Sequence, residues 1–208
     1  MSADVRVCFV GDSFVAGVGD PLLLGWAGRL GQRAVADGIQ LTAYNLGVRR
    51  QTSADVLSRC TAECEQRLLA GTDARVVVSF GVNDATQENG GPRVDPAGSA
   101  VNLAKLLEQA AERGWQVLMV APPPIDDVEH NARTAELDER FAEVCASHEV
   151  PYIQVHQALL ASEVWMREVR DGDGAHPGAA GYDVLAALVL PDWRKWLLRP
   201  ARDVRRGE

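Results

Sequence analysis

Four short segments carry residues able to do chemistry: Gly11-Asp12-Ser13, Asn45-Leu46-Gly47 and Gly81-Val82-Asn83-Asp84, each after a strand-like run, and Asp173-Gly174-Ala175-His176, in a long stretch after the last such run. A serine hydroxyl is a weak nucleophile until a base takes its proton, and that base needs a carboxylate to orient it. Negative charge developing on a substrate oxygen needs fixed donors. Ser13 supplies a hydroxyl and His176 a base, with Asp173 three residues before it. That spacing lets a carboxylate fold back onto the imidazole, whereas Asp171, five residues before, reads as solvated loop. Gly47 has no side chain to keep its N–H from a substrate, and Asn83 offers an amide N–H₂. Asp12 and Asp84 read as structural carboxylates that accept N–H bonds from their own loops.

Other chemistries compete for the same residues. Asp12, Asp84, Asp173 and His176 could hold a metal ion for phosphoester hydrolysis, although no His-rich ligand set accompanies them. A non-catalytic binding module would not need serine, aspartate and histidine together. Gly11–Gly19 lacks the Gly-x-x-x-x-Gly-Lys phosphate cradle, and Ser79 lacks the preceding glycine of a nucleophile elbow. His130, His148 and His156 read as surface, helix-face and strand-end residues. Cys8, Cys60, Cys64 and Cys145 are irregularly spaced and read as small buried hydrophobes.

The chain has 208 residues, 47% of them hydrophobic, and a formal net charge of −8. One domain with a sizeable core is expected, and the charge argues against a nucleic-acid partner. No apolar run approaches the ~18 residues that cross a bilayer, so no stable membrane association is expected. Met-Ser-Ala-Asp-Val-Arg-Val-Cys has neither a basic nor an apolar leader segment, which points to the cytoplasm. Nothing in the sequence fixes an oligomeric state.

The elements that must position these residues alternate. Strands are expected over Val5–Val10, Ile39–Tyr44, Arg75–Phe80, Trp115–Ala121 and Tyr152–Val155. Helices are expected over 22–37, from the Thr52-Ser53-Ala54-Asp55 capping box to Gly71, from Asp95-Pro96 to Gly114, over 132–148, and from Pro177 to Leu190, where Pro191 interrupts. Residues 81–96 read as a polar loop, and an irregular stretch runs from about 156 to 176. Strict alternation argues for a flavodoxin-like three-layer α/β/α sandwich with a five-stranded parallel sheet of order 2-1-3-4-5. Ligands then bind beyond the carboxyl ends of strands 1 and 3, where Ser13 and Asn83 stand.

Taken together, Gly11-Asp12-Ser13, Gly47 after an asparagine, Gly81-x-Asn83-Asp84 and Asp173-x-x-His176-Pro177 resemble the four blocks of the SGNH (GDSL) hydrolase family, from residue 5 to about 190. The resemblance implies a serine esterase or lipase with Ser13 as nucleophile, His176 as base and Asp173 as orienting acid. It implies an oxyanion hole made of the Ser13 and Gly47 N–H groups and the Asn83 side chain, and no metal or cofactor. The substrate is expected to be a small carboxylic ester with a short acyl or acetyl group; thioester or lysophospholipid hydrolysis is the alternative. Two positions depart from the family pattern: Arg50 stands where a second glycine is frequent, and Phe14 replaces a frequent leucine. Both belong to the expected pocket mouth. Arg49 and Arg50 could steer an anionic substrate group, and Trp165 and Met166 could wall an acyl pocket. One catalytic domain is expected over 1–198, with 199–208 as a flexible tail.

Overall fold

The computed structural model describes residues 4–200. Strands β1 (Val5–Gly11), β2 (Leu41–Gly47), β3 (Asp73–Ser79), β6 (Gln116–Val120) and β7 (Tyr152–Ile153) form one parallel sheet in the order β2-β1-β3-β6-β7. Counted over these five strands alone, that is the expected 2-1-3-4-5. Two further strands, β4 (Gln87–Glu88) and β5 (Gly91–Pro92), make a small antiparallel hairpin inside the segment expected to be loop.

Both faces of the sheet are covered, so the strands alternate between two apolar cores. In β1, Val5, Val7 and Phe9 face one core, and Cys8 and Val10 face the other. The first core is closed by α1 (Ser13–Ala16), α2 (Gly25–Ala36), α6 (His156–Leu160), α7 (Glu163–Asp171) and α8 (Ala179–Leu197). The second is closed by α3 (Ser53–Glu65), α4 (Pro96–Glu112) and α5 (Val128–Ser147). The Thr52–Asp55 capping box is formed, and Asp95 caps α4 with Pro96 in its first turn. All four cysteines are free and buried.

Several boundaries differ from expectation, each for a local reason. Strand β2 begins at Leu41 and continues to Gly47, because its pairing with β1 runs from Val5↔Leu41 to Gly11↔Gly47. Helix α2 begins at Gly25 because Asp20 accepts the N–H groups of Leu22, Leu24 and Gly25 and holds that segment in a turn. Helix α5 begins four residues early because Asp127 accepts the His130 N–H as its cap. The stretch expected to be irregular contains α6 and α7. Ser162 caps α7 through the Trp165 N–H, and Trp165 and Val169, one turn apart, are both fully buried.

Helix α8 does not stop at Pro191. The proline sits on the exposed side, while Trp193 and Trp196 beyond it are buried. Their burial offsets the hydrogen bond the proline cannot make. These two tryptophans are core residues: Trp193 packs on Phe9, and the buried Arg75 guanidinium lies over Trp196. Arg75 pairs with Asp73 and donates to the carbonyls of Trp196 and Arg199. Gln116 donates to the Pro200 carbonyl. Residues 199 and 200, expected to begin the tail, are thus tied to the amino end of the sheet; 201–208 lie outside the described residues.

Candidate active site

Strand β1 ends at Gly11, where a Cβ would stand 1.9 Å from the Ser79 carbonyl oxygen. Only glycine lets the chain turn that closely against β3. Asp12 then caps α1, its Oδ1 accepting the Phe14 N–H at 3.0 Å. Ser13 is the first residue of that helix, so its own N–H has no acceptor within the helix.

His176 reaches Ser13 from the loop between α7 and α8. Its Nε2 lies 2.7 Å from Ser13 Oγ, and its Nδ1 lies 2.7 Å from Asp173 Oδ2. The other Asp173 oxygen accepts the backbone N–H groups of Ala175 and His176. Partial burial opposes ionisation of Asp173, but those bonds and the imidazole outweigh it and hold the carboxyl down at about 2. Phe14 packs against the imidazole with ring centroids 4.8 Å apart, and Trp165 stacks behind Phe14. Trp165 is fully buried and donates its indole N–H to the Pro124 carbonyl. It therefore buttresses the histidine from within the core and does not line a pocket. Met166 is half-buried against the same core. Asp171 ends α7 and is exposed.

Asn83 stands in the loop after β3. Its amide donates to the Gln51 carbonyl at 3.0 Å and, over a longer 3.3 Å, to Asp12 Oδ2. Asp12 is fully buried, and burial together with the charge of Asp84 pushes its carboxyl up to about 7. Burial likewise raises Asp84, which accepts the Ser53 N–H at 2.7 Å and fixes the start of α3. Both carboxylates face loop N–H groups, and among the described residues no three His, Cys, Asp or Glu side chains are gathered to hold a metal ion.

Gly47 differs from its expected part. A Cβ there would meet the Ala16 nitrogen at 2.2 Å, so glycine lets β2 dock against α1. Its N–H donates to Asn45 Oδ1 at 3.0 Å, while Asn45 Nδ2 donates to the Val15 carbonyl. The Gly47 N–H is therefore engaged. Three residues on, Arg50 has a left-handed φ of 66°, and among the described residues no hydrogen bond runs from its N–H. Arg59, which sequence reasoning passed over, braces this loop. It donates to Gln51 Oε1 at 2.5 Å and to the Gly11 carbonyl at 3.0 Å. Its place on α3, one turn after the capping box, was the only available signal.

His130 is buried and not at the surface: its Nε2 lies 2.9 Å from the Val82 carbonyl, and burial lowers its pKa.

The chain is thus a parallel α/β sandwich with hydroxyl, imidazole and carboxylate aligned at its switch point. The chain belongs to the GDSL-like lipase/acylhydrolase family, which it matches over residues 9–184; these enzymes are esterases, lipases and acylhydrolases. Among solved structures it is similar to a lipase/acylhydrolase from Enterococcus faecalis, with 26% identity, a TM-score of 0.73, and 92% of this chain and 96% of that one covered. Two more distant likenesses show the shared fold. The esterase EstA from Pseudoalteromonas sp. is 17% identical with a TM-score of 0.72, covering 94% and 100% of the two chains. The acetylxylan esterase Axe2 from Geobacillus stearothermophilus is 14% identical with a TM-score of 0.73, covering 93% and 95%. Compared with curated proteins, the sequence finds no match.

Proposed function

We propose that this protein hydrolyses carboxylic esters of short acyl groups, acetyl above all, through an acyl-enzyme intermediate on Ser13. The observation that carries the reading is the continuous chain Asp173 Oδ2–His176 Nδ1 and His176 Nε2–Ser13 Oγ, with both links at 2.7 Å. In this reading His176 takes the Ser13 proton as Oγ attacks the ester carbonyl, then gives it to the leaving alkoxide. A water repeats the cycle on the acyl-enzyme. Asp173 holds the imidazole tautomer with Nδ1–H toward itself and stabilises the imidazolium.

The oxyanion would be met by the Ser13 N–H, the Asn83 amide and one N–H from the β2–α3 loop. With the Gly47 N–H held by Asn45, the Arg50 N–H fits that third part better. Asn83 would share toward the oxyanion the N–H of its longer bond, the one to Asp12. The short-acyl preference is supported by the loss of one expected apolar wall: Trp165 is buried behind Phe14 and offers no surface to an acyl chain.

A series of p-nitrophenyl esters of rising chain length tests this, with Ser13→Ala as control and with and without a chelator. Expected are highest kcat/KM on acetyl or butyryl esters, loss of turnover in Ser13→Ala and indifference to the chelator. Preference for decanoyl esters would contradict the short-acyl reading, and chelator sensitivity would contradict the serine mechanism.

A further inference from the structure

On a chain of net charge −8, the β2–α3 loop, which is tied to the candidate site by Val48 N–H on the Gly11 carbonyl and by the Asn83 amide on the Gln51 carbonyl, carries adjacent arginines. Arg49 and Arg50 lie side by side in the β2–α3 loop, both exposed, and neither has an ion-pair partner among the described residues. Arg93 reaches the same loop from beyond the small β4–β5 hairpin, donating Nη1 to the Arg50 carbonyl at 2.8 Å. Its own acidic neighbour, Glu88, is 3.4 Å away. Most other arginines of the fold are spent on carboxylates or carbonyls, as Arg29, Arg75, Arg113 and Arg194 are. Arg93 has Glu88 as its counter-charge, whereas the positive charge of Arg49 and Arg50 is left for an anion from outside the chain.

The backbone of this loop is held in place. Arg50 holds a left-handed φ of 66°, a conformation that glycine adopts without cost and that a long side chain strains. The loop is built to keep it there: Val48 N–H donates to the Gly11 carbonyl, Arg59 clamps Gln51, and Arg93 holds the Arg50 carbonyl. That conformation suits the Arg50 N–H to the oxyanion part given it above, and the bracing fixes the place from which the Arg49 and Arg50 side chains start.

We infer that this loop is a subsite for an anionic group on the ester substrate, a carboxylate or a phosphate, taken by Arg49 and Arg50 with Arg93 behind them. The guanidinium fork matches either anion with paired N–H donors. The inference rests on the esterase reading above and narrows its substrate class.

The test compares kcat/KM on matched esters, with Ser13→Ala supplying the background rate. In the acyl arm, the p-nitrophenyl monoester of adipate is set against its methyl-capped neutral form. In the alcohol arm, meta-acetoxybenzoate and meta-acetoxyphenyl phosphate are set against methyl meta-acetoxybenzoate. Expected is a charged-over-neutral ratio of about tenfold or more at low salt in at least one arm. That ratio should shrink about fivefold or more in an Arg49→Gln, Arg50→Gln double variant, and again at ~0.5 M salt. Which arm responds reports the side that carries the anion, and the two alcohol-arm anions separate carboxylate from phosphate. Calorimetric binding of phenyl phosphate should weaken in the same variant, a readout that needs no turnover. Ratios at or below one in every arm, or a ratio unchanged in the double variant, would overturn the subsite. Turnover of the neutral esters reports separately on the esterase reading.

Discussion

The two carboxylates nearest the reacting atoms are tuned in opposite directions. Asp173 is held at about 2 by N–H donors and the imidazole, so near neutral pH it is ionised, as the proposed role of orienting His176 requires. Removing it should lower kcat by roughly 10–10⁴-fold with little change in KM, because it acts on the tautomer and the imidazolium. Asp171→Ala should stay within a few-fold of wild type, since Asp171 is exposed at the end of α7. Steady-state kinetics of the two variants, each folded by circular dichroism, decide it; a larger loss in Asp171→Ala would reverse the assignment. Asp12 is raised from 3.8 to about 7. Between those values the folded state keeps a proton that the unfolded chain has released, so Asp12 makes stability fall as pH rises through that window. Asp12→Asn should remove this slope. The melting temperature of wild type relative to the variant should drop from about pH 4 to 7, and a constant difference would count against a buried Asp12 carboxyl. Its kcat should fall too. With Oδ1 still accepting the Phe14 N–H, the new amide would confront the Asn83 Nδ2.

At the scale of elements, the histidine is held from behind as much as from beside. Trp165 on α7 stacks on Phe14, which stacks on His176, and its indole N–H is tied to Pro124. Trp165→Ala should cost about 3–5 kcal/mol of stability by chemical denaturation. It should also reduce kcat at temperatures where the protein stays folded, because Phe14 loses its backing; a destabilised variant with unchanged kcat would mean that the stack supports the fold alone. This helix was hidden in the sequence. Its apolar positions Val164, Trp165, Met166 and Val169 lie opposite Glu163, Arg167, Glu168 and Arg170 at helical spacing, but over nine residues, and that short period and the Ser162 cap were passed over in a stretch read as irregular. Helix α8 was misjudged at Pro191 because a local rule was applied where two buried tryptophans decide the outcome. The central strands β1, β3 and β6 were legible because both their faces are buried and valines run through them, whereas the edge strand β2, partly exposed and with one β-branched residue, was placed by the alternation of elements. The meeting of Ser13, Asp173 and His176 was legible because few residue types can form such a hydrogen-bonded chain and the four blocks stand in a recognisable order. Gly47 was misread because sequence shows that a glycine admits a close neighbour but not which one: here it is α1. Arg59 was invisible because a bond to a carbonyl 48 residues away leaves no local pattern.

Across the whole molecule the two ends of the sheet have different tasks. At the amino end, buried Arg75 gathers Asp73 and the carbonyls of Trp196 and Arg199, which fastens α8 to β3. At the carboxyl end, loops after β1, β2, β3 and β7 bring Ser13, the Arg50 region, Asn83 and His176 together. A long span carries His176 from the far edge strand back to β1, and α6 and α7 make that span rigid. No helix among the described residues is long and apolar enough to cross a membrane. The central claim is that this convergence makes Ser13 a covalent nucleophile. Its most direct test is to treat the protein with a fluorophosphonate probe and locate the adduct by peptide mass mapping, in wild type, Ser13→Ala and His176→Ala. The account predicts one adduct, on Ser13, absent from Ser13→Ala and formed far more slowly in His176→Ala. An adduct on another residue, or a protein that hydrolyses esters while Ser13 stays unmodified, would contradict it.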